Sequence, residues 1–333
     1  MSLKEYWYIA AEGSELGAQP LPRVVLGERI VLFRGADGRP AALEDRCAHR
    51  NIALSEGAVT DGTLRCRYHG WRYAASGSCV EVPAMGAGAA LPRRACVRSY
   101  PCVESQGYVW VYPGAGQPPE ELPTFAHKCE TGWTSFTMRN AFAGTVEACL
   151  ENFLDCPHTV YVHRGWFRTS DPRPLEAVVT RDSGGAEAVF KDEPISESVV
   201  SRLLFPKGRE LRHTDRFLMP AQSRVDYSFG ADRHFIITSW CTPAEDERHC
   251  RVYTAVTFRF GSVFFEPLCR VIIAQDVEVI KAQADNIARF GGPRFTHLDV
   301  DLLGPHIQAL RAAKARGEAP PAAVAGEPVE IRF

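Results

Sequence analysis

Two short segments constrain this chain more than anything else in it. They are Cys47-Ala48-His49-Arg50 and Cys66-Arg67-Tyr68-His69-Gly70-Trp71, with sixteen residues between His49 and Cys66. Each holds one Cys and one His on a short loop, and two such loops facing each other offer two thiolates and two imidazoles. Hard cations do not choose that donor set, whereas zinc and iron–sulfur clusters do. A zinc site of the two-Cys, two-His kind usually groups its cysteines together and its histidines together. The alternation seen here suits a two-iron, two-sulfur cluster with two cysteines on one iron and two histidines on the other. Replacing two thiolates by neutral imidazoles lowers the negative charge and raises the reduction potential. Zinc remains the competing occupant of the same four side chains.

Over roughly residues 5 to 115 the chain resembles the Rieske family, through Cys-x-His, a gap of this length, Cys-x-x-His and the flanking Gly70-Trp71. The resemblance implies that Cys47 and Cys66 hold one iron and His49 and His69 the other. Of the eleven cysteines, two are thereby accounted for. Cys79, Cys96, Cys102, Cys129, Cys149, Cys241, Cys250 and Cys269 have no such partners and read as buried free thiols. Cys156 reads the same way, although it lies beside the next group of candidates.

That group is in the segment Glu151 to His163. A helix is expected from about Thr145 to Cys156, with Val146, Leu150, Phe153 and Leu154 as its apolar stripe. Ala148, Asn152 and Asp155 fall on another face, and Pro157 is expected to end the helix just before His158, with His163 five residues on. Two imidazoles and one carboxylate make the facial donor set of non-heme Fe(II) oxygenases. Taken alone, such a pair of histidines reads first as a satisfied core histidine and a surface one; a cluster site upstream in the same chain reverses that preference. A second helix, from about Pro267 to Ile287, carries Cys269, Ile272, Ile273, Ile280 and Ile287 on one face with Asp276 among them. A carboxylate in an apolar stripe needs a strong partner, either a metal or a buried Arg.

Rieske oxygenases place an Asn or Glu, then Asp, then two His at similar spacing, and a later Asp or Glu. That resemblance assigns His158, His163 and Asp276 as ligands of a mononuclear iron. It assigns Asp155 as the bridge from a ligand His to the Rieske His of a neighbouring subunit, and Asn152 as a neighbour of the iron. The context Gln275-Asp276-Val277-Glu278 departs from the commoner Glu-Asp opening, which makes Glu278 a competitor, though one that leaves the stripe.

The remaining sequence sets limits. A net charge of -2 offers no field for a phosphate backbone, so nucleic acid is not expected as a partner. No secretory signal is visible in the opening Met-Ser-Leu-Lys-Glu-Tyr, an odd cysteine count argues against a disulfide framework, and the cytoplasm is the expected compartment. The most apolar late run, Phe264 to Ala274, is broken by Glu266 and Arg270 and is not expected to span a membrane.

Strand-like runs at Val24-Val25-Leu26, Ile30 to Phe33 and Tyr108 to Tyr112 are separated by turn chemistry at Gly35 to Gly38 and Ala75 to Gly77. The Pro/Gly-rich stretch Pro113 to Pro123 is the expected boundary, giving a cluster domain over 1–115 and an iron domain over 124–333. Further strands are expected at Phe235 to Thr238 and Val252 to Phe260, and Ala315 to Pro328 reads as a tail or an arm.

The family implies an α+β architecture: an N-terminal Rieske β-domain, then a catalytic domain with an antiparallel sheet flanked by helices. It also implies a homotrimer and reductive O2 activation on an apolar small molecule, either hydroxylated or oxidatively demethylated. The chain contains neither a Gly-x-Gly-x-x-Gly after a strand nor a plant-ferredoxin cysteine run, so NAD(P)H oxidation belongs to a separate reductase, with or without a ferredoxin. The other class to weigh is an electron-transfer protein whose C-terminal domain only binds a partner. Its mark would be the lack of His158, His163 or Asp276, and all three are present.

Overall fold

The computed structural model describes residues 2–86, 88–164, 166, 174–191, 193, 211–230, 233–260 and 266–332. The chain forms two compact units. One comprises Lys4–Thr124 with Thr242–Asp246, the other Phe125–Cys241 with Glu247–Phe333 and the first three residues.

The first unit is built of short antiparallel strands. Strands β1 (Tyr8–Glu12), β2 (Leu21–Val25), β3 (Glu28–Arg34) and β4 (Pro40–Glu44) precede the first Cys/His loop. Then come β5 (Ala58–Thr60), β6 (Thr63–Arg65), β7 (Arg72–Tyr73), β8 (Cys79–Glu81), β9 (Ser99–Tyr100), β10 (Cys102–Ser105) and β11 (Tyr108–Val111). They make three sheets, ordered β1-β11-β10, β2-β3-β4-β9 and β5-β6-β7-β8. The expected strand at Val24 to Leu26 stops one residue early. Leu26 and Gly27 both adopt positive φ (49° and 77°), the two-residue turn whose twist matches the flanking strands. β11 has every residue buried because it is the central strand of its sheet. Such a strand reads as an apolar run rather than an alternating one.

The second unit is organised around one eight-stranded sheet. Its strands are β12 (Thr134–Phe142), β13 (Pro174–Arg181), β14 (Gly185–Lys191), β15 (Leu211–Leu218), β16 (Gln222–Phe229), β17 (His234–Pro243), β18 (Cys250–Phe258) and β19 (Val324–Arg332). Their order is β12-β18-β17-β16-β15-β14-β13-β19. Among the described residues the helices are α1 (Val146–Phe153), α2 (His158–Tyr161), α3 (Glu266–Arg289) and α4 (Gly304–Arg316). Of the two readings of the C-terminal segment, a tail or an arm, its last part is the arm, laid on the sheet edge. Ala315 and Arg316 end α4, and β19 pairs antiparallel with β13, covering what would be an open sheet edge.

Two further expectations are corrected. First, α1 ends at Phe153, not at the proline. Pro157 instead precedes α2, where its fixed φ suits a first helical turn, and His158 opens that helix. Asp155 thus sits in the connecting loop and not on a helix face. Second, α3 runs from Glu266 to Arg289 and buries Cys269, Ile272, Ile273, Asp276 and Ile280, while Ile287 is only half-buried near the helix end. Phe264 and Phe265, which open the late apolar run, lie outside the described residues.

Helix α1 is held from both sides. Thr145 caps it by accepting from the Ala148 amide at 3.1 Å. Gly144 lies so close to α3 that a Cβ there would meet the Ile280 side chain at 2.3 Å. On α4, buried Arg311 donates to Glu147 at 2.6 Å. Burial alone would raise the Glu147 carboxyl, but the guanidinium overcomes it and holds the group below the usual carboxylate range.

Candidate metal centres

The four donors of the first unit sit on two copies of one loop. In the first, the Cys47 amide donates to the Ile52 carbonyl at 2.9 Å and the Asn51 amide to the Cys47 carbonyl at 2.9 Å. In the second, the Cys66 amide donates to Trp71 at 2.8 Å and the Gly70 amide to Cys66 at 3.1 Å. The spacings are the same, and the residue four past each Cys, Asn51 or Gly70, takes a positive φ of 60° or 73°. Asn and Gly are the residues that enter this region at least cost.

The result is an inside and an outside. Cys47 and Cys66 are buried at 1% and 2% exposure, while His69 is exposed and its ring lies 4.6 Å from that of His49. Tyr73 OH lies 3.3 Å from Cys47 Sγ and accepts from the Ala48 amide at 3.2 Å, and the Trp71 ring stacks on His49 at 4.7 Å. Burial, and then the neighbouring Cys47 thiol, push the Cys66 thiol up, so Cys66 resists ionising by itself. His49 Nδ1 is buried with no hydrogen-bond partner. Two buried thiols and an orphaned imidazole nitrogen fit a thiolate- and imidazole-bound cluster.

The second unit brings together His158, His163 and Asp276, whose donor atoms all lie within 4.8 Å of one another. Asp276 Oδ1 is 3.1 Å from His163 Nε2 and 3.6 Å from His158 Nε2. The two Nε2 atoms are 3.2 Å apart. His163 Nδ1 donates to Gln275 Oε1 at 2.8 Å, and His158 Nδ1 donates to the backbone carbonyl of Asp155. With the ring protons on Nδ1, both Nε2 atoms turn lone pairs toward each other and toward a carboxylate. Asp276 Oδ1 is buried and receives no hydrogen bond of acceptable geometry. Three acceptors converging without a donor is unfavourable unless a metal cation or a second ring proton lies between them, and this donor set suits Fe(II).

The other expected residues are placed as follows. Glu278 is exposed on the outer face of α3, away from the triad. Asn152 Oδ1 is buried without a hydrogen-bond partner. Asp155 has its carboxylate 3.9 Å from His158 Nδ1, and its side chain is 49% exposed in the isolated chain. Gln275 was visible in the sequence only as a departure from a pattern. Its contact with His163 spans 112 residues, and no local signal reports such a contact.

The triad opens on a cavity of about 120 Å³, roughly ten times what one water requires. Its walls include Met138, Phe153, Val225, Ile237, Val256 and Ile272. Ser239 and Thr254 hydroxyls, 2.9 Å apart, supply polar groups within it. All eleven cysteines are free thiols. Cys149, Cys241, Cys250 and Cys269 pack in the core as expected, but Cys96 and Cys129 are exposed.

Residues 6–101 match the Rieske [2Fe-2S] domain family, and residues 142–317 match the family of vanillate O-demethylase oxygenase C-terminal domains. A putative toluene-4-sulfonate monooxygenase system iron-sulfur subunit of Comamonas testosteroni is 36% identical over 187 residues, 56% of this chain and 53% of that protein. The oxygenase component of dicamba O-demethylase from Stenotrophomonas maltophilia is 34% identical over 191 residues, covering 57% and 56%. The chain thus spans about half the length of these curated relatives. The crystal structure of dicamba monooxygenase bound to dicamba has a TM-score of 0.78 at 25% identity, over 94% of this chain and 99% of that one. Pseudomonas putida CBB5 NdmA with caffeine shares the fold at a TM-score of 0.78 and 22% identity, covering 94% and 91%. With the C-terminal domain family matched over more than half of its residues and a Rieske domain before it, the chain belongs to the Rieske-type non-heme iron oxygenases.

Proposed function

We propose that this chain is a terminal oxygenase component, using O2 and electrons from a separate NAD(P)H-dependent reductase, with or without a ferredoxin, to hydroxylate or oxidatively demethylate an apolar aromatic, alkaloid or steroid-like small molecule. The observation that carries this reading is the convergence of His158, His163 and Asp276 on an apolar cavity. Cys47, His49, Cys66 and His69 would hold the [2Fe-2S] cluster within residues 1–115. His158, His163 and Asp276 would hold Fe(II) within residues 124–333. The iron, when bound, supplies reductive activation of O2 with electrons received from the cluster.

The chain's own side chains do the rest. The apolar wall orients the substrate and excludes bulk water from the donors. Gln275 and the Asp155 carbonyl keep the imidazole protons on Nδ1, so the Nε2 atoms stay available and the rings stay oriented. Asn152, with an unpaired buried oxygen, would lie beside the iron.

The half-exposed Asp155 and the exposed His69 are what a homotrimer would cover, one subunit's His69 meeting the next subunit's Asp155. Among the described residues no helix is long and apolar enough to cross a membrane. The cytoplasm is the proposed compartment.

Oxygen uptake with a surrogate reductase, screened over aromatic, N-methyl and sterol candidates, tests the reading. Substrate-dependent uptake with a hydroxylated or demethylated product is expected. A reducible cluster with no uptake on any candidate would favour an electron-transfer protein instead. Mixing Cys66→Ala with His158→Ala chains tests the trimer, because some interfaces would pair an intact cluster with an intact iron. Partial activity in the mixture alone is expected, and inactive verified mixed trimers would sink the inter-subunit path.

A further inference from the structure

We infer that Asp215, acting through the Cys156 thiol, is a positioning residue that fixes the loop carrying Asp155 and His158; this rests on His158 being an iron ligand. Cys156 lies between those two residues, and its thiol donates to Asp215 Oδ2 at 3.1 Å. Asp215 is 1% exposed, on the sheet face that lines the cavity. Its register partner Val225 and the next same-face residue Tyr227 both line the cavity. A buried hydrogen bond that crosses 59 residues of sequence therefore ties the loop to the cavity wall.

Asp215 can serve as an anchor only if its buried charge is compensated. His213, two residues along β15 on the same face, supplies this. Its Nε2 lies 3.0 Å from Asp215 Oδ1 and its Nδ1 lies 2.7 Å from Glu193 Oε2. Burial alone would push this imidazole down, but Asp215 and Glu193 together raise it to about 9, so it stays charged at neutral pH. Its ring is also clamped. Phe190 on β14 and Tyr227 on β16 are its direct cross-strand neighbours, stacked at 4.3 Å and 4.2 Å. The result is a rigid ladder of Phe190, His213 and Tyr227 that ends at the cavity and carries the anchor on its next rung.

Cys156, His213 and Asp215 also lie within 4.8 Å of one another, so a second metal is the rival explanation. The hydrogen bonds decide against it. At the iron triad three acceptors converge and one carboxylate oxygen is left without a hydrogen bond. Here a charged imidazole and a thiol donate to separate carboxylate oxygens, and no metal is needed to resolve the contact.

The test uses the full chain carrying its cluster, with ferrous affinity read by competition with a chromogenic Fe(II) chelator. Cys156→Ala removes the donor, Cys156→Ser keeps one, and Asp215→Asn keeps the shape with a single acceptor oxygen. Cys156→Ala and Asp215→Asn should bind Fe(II) about tenfold or more weakly. Their kcat should fall further than KM rises, because Tyr227 and the cavity remain. Cys156→Ser should return to within about threefold of the parent, a rescue that a loss of packing alone would not show.

Parental Fe(II) affinity in a folded Cys156→Ala, or in Asp215→Asn if Cys156→Ala does not fold, overturns the inference. So does a stoichiometric second metal that Cys156→Ala removes. If the parent chain itself binds no mononuclear iron, it is the reading of His158, His163 and Asp276 that fails.

Discussion

The two candidate metal centres are assembled in opposite ways. The proposed cluster donors come from two loops with the same backbone hydrogen bonds, contained between residues 47 and 71. The proposed iron donors come from α2 with the residues just after it and from α3, and Gly144 lets α3 pack close to the start of α1. One centre is local in sequence and hides its thiols while exposing His69. The other is made by long-range packing and buries Asp276 and His163. A local site should fail all at once when a donor is lost, whereas a packed site should tolerate graded damage.

The largest effect is expected at the cluster. Cys66→Ala should abolish the Rieske visible bands and turnover together, since ligation and the local fold are coupled. A normal cluster spectrum in that variant would be incompatible with the assignment. At the other centre, Asp276→Ala should remove about one of roughly three iron atoms per chain and leave the cluster bands intact. Iron and acid-labile sulfide analysis decides this, and a chain that kept all its iron would show that Asp276 is not a ligand.

A graded response is expected one contact further out. Gln275→Leu takes away the acceptor of His163 Nδ1 and leaves all three donors, so ferrous affinity should drop about tenfold, the lower end for such partners. Gln275→Glu, which keeps an acceptor oxygen, should bind iron more tightly than Gln275→Leu, and equal affinities would remove Gln275 from the site.

The last effect leaves metal binding untouched and concerns pH. His213 has its imidazole raised from 6.5 to about 9, so its contribution to stability is complete below pH 6.5 and is lost as pH rises through 9. The full shift corresponds to a loss on the order of 3 kcal/mol across that window. Melting temperature followed from pH 6 to 10 should fall more steeply in the parent than in His213→Gln. Parallel curves would show that His213 is neutral in the folded chain.

The sequence by itself put forward the candidate donors. Metal chemistry restricts the residue types, and within a loop the backbone places Cys47 and His49, or Cys66 and His69, without outside help. The periodicity of α3 likewise put Asp276 on a buried face and Glu278 off it. Around Asp155 the stripe through Leu154 predicts a helix as far as Cys156, but the chain has already left the helix at Phe153.

Only the tertiary structure decided which groups surround those donors. Gln275 reaches His163 across 112 residues, and Cys156 reaches Asp215 across 59. Whether His213 meets Phe190 and Tyr227 depends on the register of three strands, where a slip of one residue would turn every side chain to the other face. Such contacts are set by packing between elements, which composition and spacing along the chain do not encode locally.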